Sequence, residues 1–249
     1  MFSNAALTGI IYSAIAGTAT SIGAFPFLFF KKGVSRKMLD IFLGFAAGVM
    51  LAATAFSLVI PSIEIGGPLK FVIGFLLGGI FIDLMDKFSP HEHLIKGYEG
   101  PLDKGKISKI WLFVIAITLH NFPEGMAVGV GAFTPEAVTV AIAIGLQNIP
   151  EGAAVTASLI GAGYKPGKSF LVSFGTGMVE LVGGIIGVVL ITVSKPLLPY
   201  AMAFAGGAML YVISDEVIPE THSGGFERLS TFAIIAGFVL MTLFDVLLS

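Results

Sequence analysis

Apolar residues fill the chain in long runs, and short polar segments separate these runs. The first 30 residues contain no Asp, Glu, Lys, Arg or His, and residues 41–63 and 196–214 also lack ionisable side chains. Uncharged apolar runs of about 18 or more residues are typical of transmembrane helices. The pattern therefore predicts a polytopic membrane protein.

Eight such runs can be placed along the 249 residues. In chain order they cover roughly 5–30, 38–62, 68–88, 108–132, 136–162, 168–193, 197–216 and 228–248. Because each run has the length of a membrane-crossing helix, we predict an all-α fold with eight transmembrane helices. We expect a single transmembrane domain over residues 1–249, with a polar loop containing Gly and Pro at about 89–107.

Basic residues lie mostly at one end of the predicted spans. Twelve of the fourteen Lys and Arg residues follow the first, third, fifth or seventh span, and only Lys70 and Lys195 fall at the other end. Cytoplasmic loops of membrane proteins carry an excess of Lys and Arg. We therefore expect these segments in the cytoplasm and both termini outside, which an even number of spans allows.

Composition narrows the function classes. Charged residues make up 12% of the chain, whereas soluble domains carry about 25%, so a soluble fold would expose large apolar patches. The net charge of −2 gives no basic patch for nucleic acid. The chain has no Cys, which excludes disulfides, thiolate metal ligands and cysteine nucleophiles.

Ionisable residues near the middle of three consecutive spans are the most informative feature. His120 and Glu124 lie in span four, Glu151 in span five and Glu180 in span six. A charged group at bilayer depth is costly and normally faces a bundle interior or a transport pathway. Three carboxylates at matching depth are hard to retain without a cation between them, so we expect a cation site there.

Spans four and five share a short sequence repeat. His-Asn-Phe-Pro-Glu-Gly at 120–125 matches Gln-Asn-Ile-Pro-Glu-Gly at 147–152. Pro123 and Pro150 cannot donate a backbone hydrogen bond, so each predicts a kink and an unpaired carbonyl. Secondary transporters coordinate their ions at such interrupted helices near the midplane.

The two motifs carry polar groups that we expect to face each other. Residues three and four apart share one side of a helix, and the antiparallel spans place both sets in a band roughly 10 Å deep at 1.5 Å per residue. The converging groups are His120, Glu124, Gln147, Asn148 and Glu151. An imidazole with carboxylates and amides suits a divalent cation such as Zn²⁺, Fe²⁺ or Mn²⁺.

These motifs resemble those of the ZIP (Zrt-, Irt-like protein) family of divalent-metal transporters, and the resemblance extends over essentially the whole chain. It implies a metal site, often binuclear, between spans four and five. It also implies transport into the cytoplasm, a homodimer, and Zn²⁺ as transported substrate rather than catalytic cofactor. Carried over by motif, the metal ligands would be His120, Asn121, Glu124, Gln147, Asn148 and Glu151, with Glu180 contributed by span six.

Gln147 departs from the family pattern, because many members have His at this position. The change makes the site richer in oxygen and weakens the argument for strict zinc selectivity. We therefore expect zinc to be one of several accepted metals, with iron, manganese and cadmium as the others.

Polar residues also flank the predicted site. Glu64 and Asp245, at the outer ends of spans two and eight, form either a cation-attracting entrance or ordinary interfacial acids. Asp83 and Asp86, near the inner end of span three, are expected to be solvated. The predicted exit residues are Asp215, Glu216, Glu220 and His222, with His91 and His93 of the loop as a transient metal-collecting segment or simply a solvated one.

Two other function classes were weighed. An intramembrane metallohydrolase would also need metal ligands at depth, but the His-Glu-x-x-His motif is absent and His120 alone among the four His lies in mid-span. We therefore predict that the chain is not an enzyme. A proton-coupled transporter or channel for another cation would use the same acids and stays as the alternative. The short loops favour a bacterial plasma membrane.

Overall fold

The computed structural model describes residues 4–29, 33–88, 91–93, 97–99 and 109–248, with only the backbone described for 91–93, 97–99 and 109. Within these ranges, eight helices are long and apolar enough to cross a membrane, which confirms the predicted fold. The helices are α1 (Asn4–Leu28), α2 (Arg36–Gly66), α3 (Pro68–Phe88), α4 (Ile110–Gly131), α5 (Ala137–Gly161), α6 (Pro166–Val193), α7 (Lys195–Thr221) and α8 (Glu227–Leu248).

Local sequence chemistry sets several helix ends. Ser35 caps α2, because its side-chain oxygen accepts a hydrogen bond from the backbone N–H of Met38 at 3.4 Å. Pro166 is the first residue of α6, where its missing N–H leaves no helical bond unmade. Gly67, at φ 77°, ends α2 and turns the chain directly into α3 at Pro68.

Helices α2 and α7 each contain a π-helical turn and extend further than the hydropathy pattern predicted. The turns cover Ala53–Val59 and Ile213–Val217, and a Val-Ile-Pro sequence leads each one back into α-helix at Pro61 and Pro219. Because proline removes a donor and crowds the preceding turn, a widened turn lets the helix continue past it. Such turns occur frequently at functional sites.

The helices pack as two groups. Helices α1, α4, α5 and α6 contact one another, while α2 packs against α8, α3 against α7, and α7 against the π-helical turn of α2. The two groups meet where α2 contacts α5 and where α4 contacts α7. Over an 18-residue window, 72% of α4 is buried, against 17% of α3 and 11% of α8. Helix α4 therefore lies at the centre, and α3 and α8 lie at the periphery.

The loop predicted at about 89–107 contains a short β-ribbon. Strand β1 (His91–His93) pairs antiparallel with β2 (Gly97–Glu99), and His91 lies opposite Glu99. The backbone of β1 contacts α4. The side chains of His91 and His93, which we predicted to collect metal, lie outside the part of the chain whose side chains are described.

Candidate metal site

The seven predicted metal ligands all lie inside the α1, α4, α5 and α6 group. None of these residues is more than 5% exposed. They are His120, Asn121 and Glu124 on α4, Gln147, Asn148 and Glu151 on α5, and Glu180 on α6. Polar and charged groups buried this completely are normally hydrogen-bonded, paired with opposite charge or bound to a metal.

The prolines of the two motifs do not interrupt their helices. Helices α4 and α5 run through Pro123 and Pro150 as continuous α-helix. Each proline still lacks the N–H that would bond to the carbonyl four residues earlier. The polar groups of each motif are therefore presented by a helix that is continuous through its proline.

The glycine that ends each motif sets how closely the helices approach. A Cβ at Gly125 would overlap the backbone carbonyl of Glu180 on α6, and a Cβ at Gly152 would overlap that of Thr20 on α1. Only glycine lets two backbones come this close. Tight packing was expected from the glycine content, but the sequence did not show that Gly125 brings Glu124 beside Glu180.

Asn148 connects three helices at the centre of the site. Its side-chain NH₂ donates to Oε1 of Glu180 at 2.6 Å and to the backbone carbonyl of Ala16 on α1 at 2.8 Å. The amide oxygen Oδ1 of Asn148 is buried and makes no hydrogen bond with the described part of the chain. This bonding pattern uses both N–H groups of the amide and leaves its oxygen available as a ligand.

Three carboxylates share the interior of this group. Glu124 interacts electrostatically with Glu151 and with Glu180, and Gln147 lies beside Glu124. Glu151 also interacts with Glu180 and with the imidazole of His120. Like charges buried together repel unless a cation or protons neutralise them. The electrostatics of the site therefore favour a bound cation.

Many polar atoms in the site have no hydrogen-bond partner within the described residues. Two of them are the carboxylate oxygens of Glu124. The others are the side-chain amide atoms of Asn121 and Gln147, Oδ1 of Asn148 and Oε2 of Glu180. Buried polar atoms without partners are rare in folded proteins. A concentration of oxygen atoms of this kind fits the ligand preference of a divalent cation.

The acids are interleaved with amides rather than gathered into one cluster. Across the residues that the structure describes, no three His, Cys, Asp or Glu side chains are arranged to hold one metal ion. A metal bound in this arrangement would take amide oxygens of Asn121, Gln147 or Asn148 among its ligands, or would draw the carboxylates together by side-chain rotation.

His120 extends the site towards α7. Its Nε2 shares a hydrogen bond of 2.8 Å with Oε1 of Glu216 in the π-helical turn. Glu220, one turn further on, interacts electrostatically with both residues. These three side chains and five apolar residues line a cavity of about 20 Å³, which is room for about one water molecule. A polar route therefore leads from the midplane group to the end of α7.

Asp86 on α3 lies beside this route, although its position near the end of the helix predicted that it would be solvated. Its side chain is 3% exposed and interacts electrostatically with His120. Asp83, one turn earlier, is partly exposed and forms an ion pair of 2.6 Å with Lys87, as a residue at a helix end does. The sequence spacing could have distinguished Asp86 from Asp83. Asp86 lies four residues after the buried Ile82 and therefore on the same face of the helix.

The four predicted exit residues, on α7 and directly after it, lie in different surroundings. Glu216 and Glu220 face His120, but Asp215 lines a cavity of about 580 Å³ on the opposite side with Asp83 and Tyr211. The Nε2 atom of His222 shares a hydrogen bond of 3.1 Å with Thr231 of α8. Two of the four residues are thus placed beside the predicted site and two are not.

Arg36, which the sequence did not single out, closes the inner end of this route. Its guanidinium donates to the carbonyl of Glu220 at 2.7 Å and to the hydroxyl of Ser223 at 2.8 Å. It also forms an ion pair of 2.8 Å with the fully buried Asp40. These contacts join the start of α2 to the end of α7.

The two acids of the predicted entrance occupy different positions. Asp245 accepts a hydrogen bond of 2.9 Å from Ser57, which lies buried in the π-helical turn of α2. Glu64 is exposed near the end of α2, seven residues beyond Ser57 and therefore about 10 Å further along the helix. Asp245 tethers α8 to α2, and Glu64 faces outwards.

Known proteins match this chain over nearly its whole length. A family model described as ZIP zinc transporter matches residues 90–245. The zinc transporter GufA of Myxococcus xanthus is 45% identical, with 95% of this chain and 97% of that protein covered. The zinc transporter ZIPB of Bordetella bronchiseptica is 38% identical over 96% of this chain and 84% of its own length. Human zinc transporter ZIP11 is 34% identical over 95% of this chain and 97% of its own length.

Proposed function

This chain belongs to the ZIP family of zinc transporters, and we propose that it moves Zn²⁺ through the buried site of α4, α5 and α6. The observation that carries this proposal is the group of unpartnered oxygen atoms around Glu124, inside a membrane-spanning helix group. The named function of its relatives, zinc transport, supports zinc as the substrate. A family of transporters also fits the expectation that the chain is not an enzyme.

We propose that Glu124 and Glu151 supply the charge that neutralises the metal, one from each motif. Amide oxygens of Asn121, Gln147 and Asn148 and the imidazole of His120 complete the ligands. Glu180 is held at the site by Asn148. An oxygen-rich site without thiolates binds zinc less tightly than a structural Cys site. This suits a transporter, because the metal must also leave.

We propose that the metal leaves towards the cytoplasm by way of His120, Glu216 and Glu220. The hydrogen bond between His120 and Glu216 joins the metal site to this route. The excess of basic residues beyond this end of the helices supports a cytoplasmic orientation. Arg36 bonds to the Glu220 carbonyl, so release requires that Arg36 move aside.

Zinc uptake by the purified protein in liposomes tests the proposed function. We expect saturable uptake of radiolabelled Zn²⁺ above that of protein-free liposomes, with competition by Mn²⁺, Fe²⁺ and Cd²⁺. Cation flux that does not saturate with any transition metal would instead support the proton-coupled alternative. Purified protein that neither binds nor conducts these metals would contradict the proposal.

Replacing Glu216 by Gln is expected to slow uptake about tenfold while zinc binding at equilibrium stays near the wild-type value, because a charge-assisted hydrogen bond on the release route is lost. Uptake rates and equilibrium binding on the same preparation measure this. Asp215→Asn is the matched control, since Asp215 faces the other side of α7. Equal slowing by both substitutions would contradict the role assigned to Glu216.

Replacing Gln147 by His is expected to shift preference towards zinc, because imidazole is a better ligand for Zn²⁺ than for Mn²⁺. The ratio of Mn²⁺ to Zn²⁺ inhibition constants should rise about tenfold. Competition assays with labelled zinc measure this ratio, and Gln147→Ala controls for loss of the amide. An unchanged ratio in the His variant would remove Gln147 from the ligand set.

We propose that the protein acts as a homodimer in a bacterial plasma membrane. Its eight membrane-spanning helices make it a multi-pass membrane protein, and relatives from Myxococcus xanthus and Bordetella bronchiseptica support a bacterial setting. The exposed apolar faces of α3 and α8 offer surface for a second copy. Cross-linking in native membranes with cysteine pairs on α3 or α8 tests the dimer, since the chain has no Cys of its own.

A further inference from the structure

An apolar groove of about 1040 Å³ follows the seam between the two helix groups. Helices α1 and α5 form one wall, and α2 and α8 form the other. The groove begins beside Ile149 and Pro150, next to the metal-site motif, and ends at Gly33 and Met38 near the start of α2. Every residue that lines it is apolar or glycine. The groove therefore has no polar side chain along its walls between the motif and the start of α2.

The depth of the groove limits what can occupy it. Its walls belong to membrane-spanning helices, so it opens to the hydrocarbon region, where acyl chains are the apolar molecules present. Its volume is at the upper end of the range of about 300–1,000 Å³ seen for ligand cavities. A lipid tail is the occupant that fits both its depth and its chemistry.

The end of the groove at the start of α2 is basic. Lys37 is exposed and immediately precedes Met38, which lines the groove. Arg36 is engaged with Asp40 and Glu220, so Lys37 is the basic side chain left to bind another group. The sequence adds Lys31 and Lys32 just before Gly33. Basic residues at a membrane surface select anionic lipids.

We propose that this groove binds an anionic phospholipid, with an acyl chain along the seam and the phosphate beside Lys37. The acyl chain would touch Ile149 and Pro150, which immediately precede Glu151 in the chain. It would also touch Phe45 and Ala236 of the other helix group. The lipid thus contacts both helix groups at the seam between them.

Lipid binding to the purified protein tests this site without any measurement of zinc. Native mass spectrometry in detergent compares phosphatidylglycerol with phosphatidylcholine of the same acyl chains. We expect the wild type to retain phosphatidylglycerol about fivefold more tightly, the value expected for one basic residue near a membrane surface. Equal retention of both lipids by the wild type would overturn the proposal.

Two variants locate the lipid on the protein. Lys37→Gln, a surface change, should remove the preference for phosphatidylglycerol, and its persistence would overturn the headgroup assignment. Ala236→Trp should fill the groove and weaken retention of both lipids. Ile235→Trp is the matched control, because Ile235 is 50% exposed on the same helix but does not line the groove. Equal retention by both Trp variants would overturn the groove assignment.

The consequence for transport rests on the proposed function and is measured separately. Zinc uptake should be faster in phosphatidylcholine liposomes that contain phosphatidylglycerol, and Lys37→Gln should reduce this gain. A protein that binds the lipid as predicted but takes up no zinc would refute the transport proposal alone. A protein that transports zinc but shows no lipid preference would refute the lipid site alone.

Discussion

Replacing Glu124 by Gln is expected to lower saturable zinc uptake at least about tenfold, because a charged metal ligand is exchanged for a neutral one of the same shape. Both oxygens of Glu124 are buried without hydrogen-bond partners among the described residues, and Gln147 lies beside them. Glu151→Gln should have a similar effect, because Glu151 carries the charge of the second motif. Initial rates of labelled zinc uptake into liposomes measure both.

The control for this prediction is Glu227→Gln, since Glu227 is exposed at the start of α8. It should leave uptake unchanged. The Glu124 variant should also keep the wild-type unfolding temperature or exceed it, because removing a buried like charge from the group relieves repulsion. Undiminished uptake in both motif variants would show that these acids are packing groups and that the site assignment is wrong.

Replacing Gly125 or Gly152 by Ala is expected to lower the midpoint of thermal unfolding by at least about 5 °C, because one added methyl group forces two helices apart. The Cβ at Gly125 would overlap the Glu180 carbonyl, and the Cβ at Gly152 would overlap that of Thr20. In both cases the obstacle is backbone, which cannot rotate away. In the Gly125 variant zinc binding should fall together with stability, since Glu124 and Glu180 are separated.

Gly175→Ala provides the matched control in α6. Its Cβ would have no neighbour within 4 Å, so the substitution should raise stability slightly through the better helix propensity of Ala, by about 1 kcal/mol. Thermal unfolding followed by tryptophan fluorescence or by size-exclusion chromatography measures all three variants. A motif variant as stable as the Gly175 variant would contradict the close helix approach at that position.

The eight helices could be predicted from the sequence because the length of an apolar run is a local property. The ends of α2 and α7 could not, because Pro61 and Pro219 lie where a helix normally stops and the π-helical turns carry the helix past them. The pairing of α2 with α8 and α3 with α7 depends on long-range packing and is not present in any local pattern.

Residue types at the centre of the site could be predicted, whereas contacts around it could not. Asp215 and Glu216 are neighbours in the chain, and only the π-helical turn decides which one faces His120. Burial of Asp86 depends on α3 packing beside the other helices, and Arg36 reaches Glu220 across 184 positions of sequence. Each of these features follows from tertiary packing rather than from spacing along one helix.

Zinc K-edge X-ray absorption on purified protein with His91→Ala and His93→Ala tests the central claim, that zinc binds between α4, α5 and α6. We expect the bound zinc to have oxygen ligands, no sulfur ligand and one imidazole ligand with a Zn–N distance of about 2.0–2.1 Å. Adding His120→Ala should remove the imidazole scattering and leave the oxygen shell in place. An imidazole signal that persists without His120 would contradict the account, because zinc would then be bound by His222, outside the midplane group.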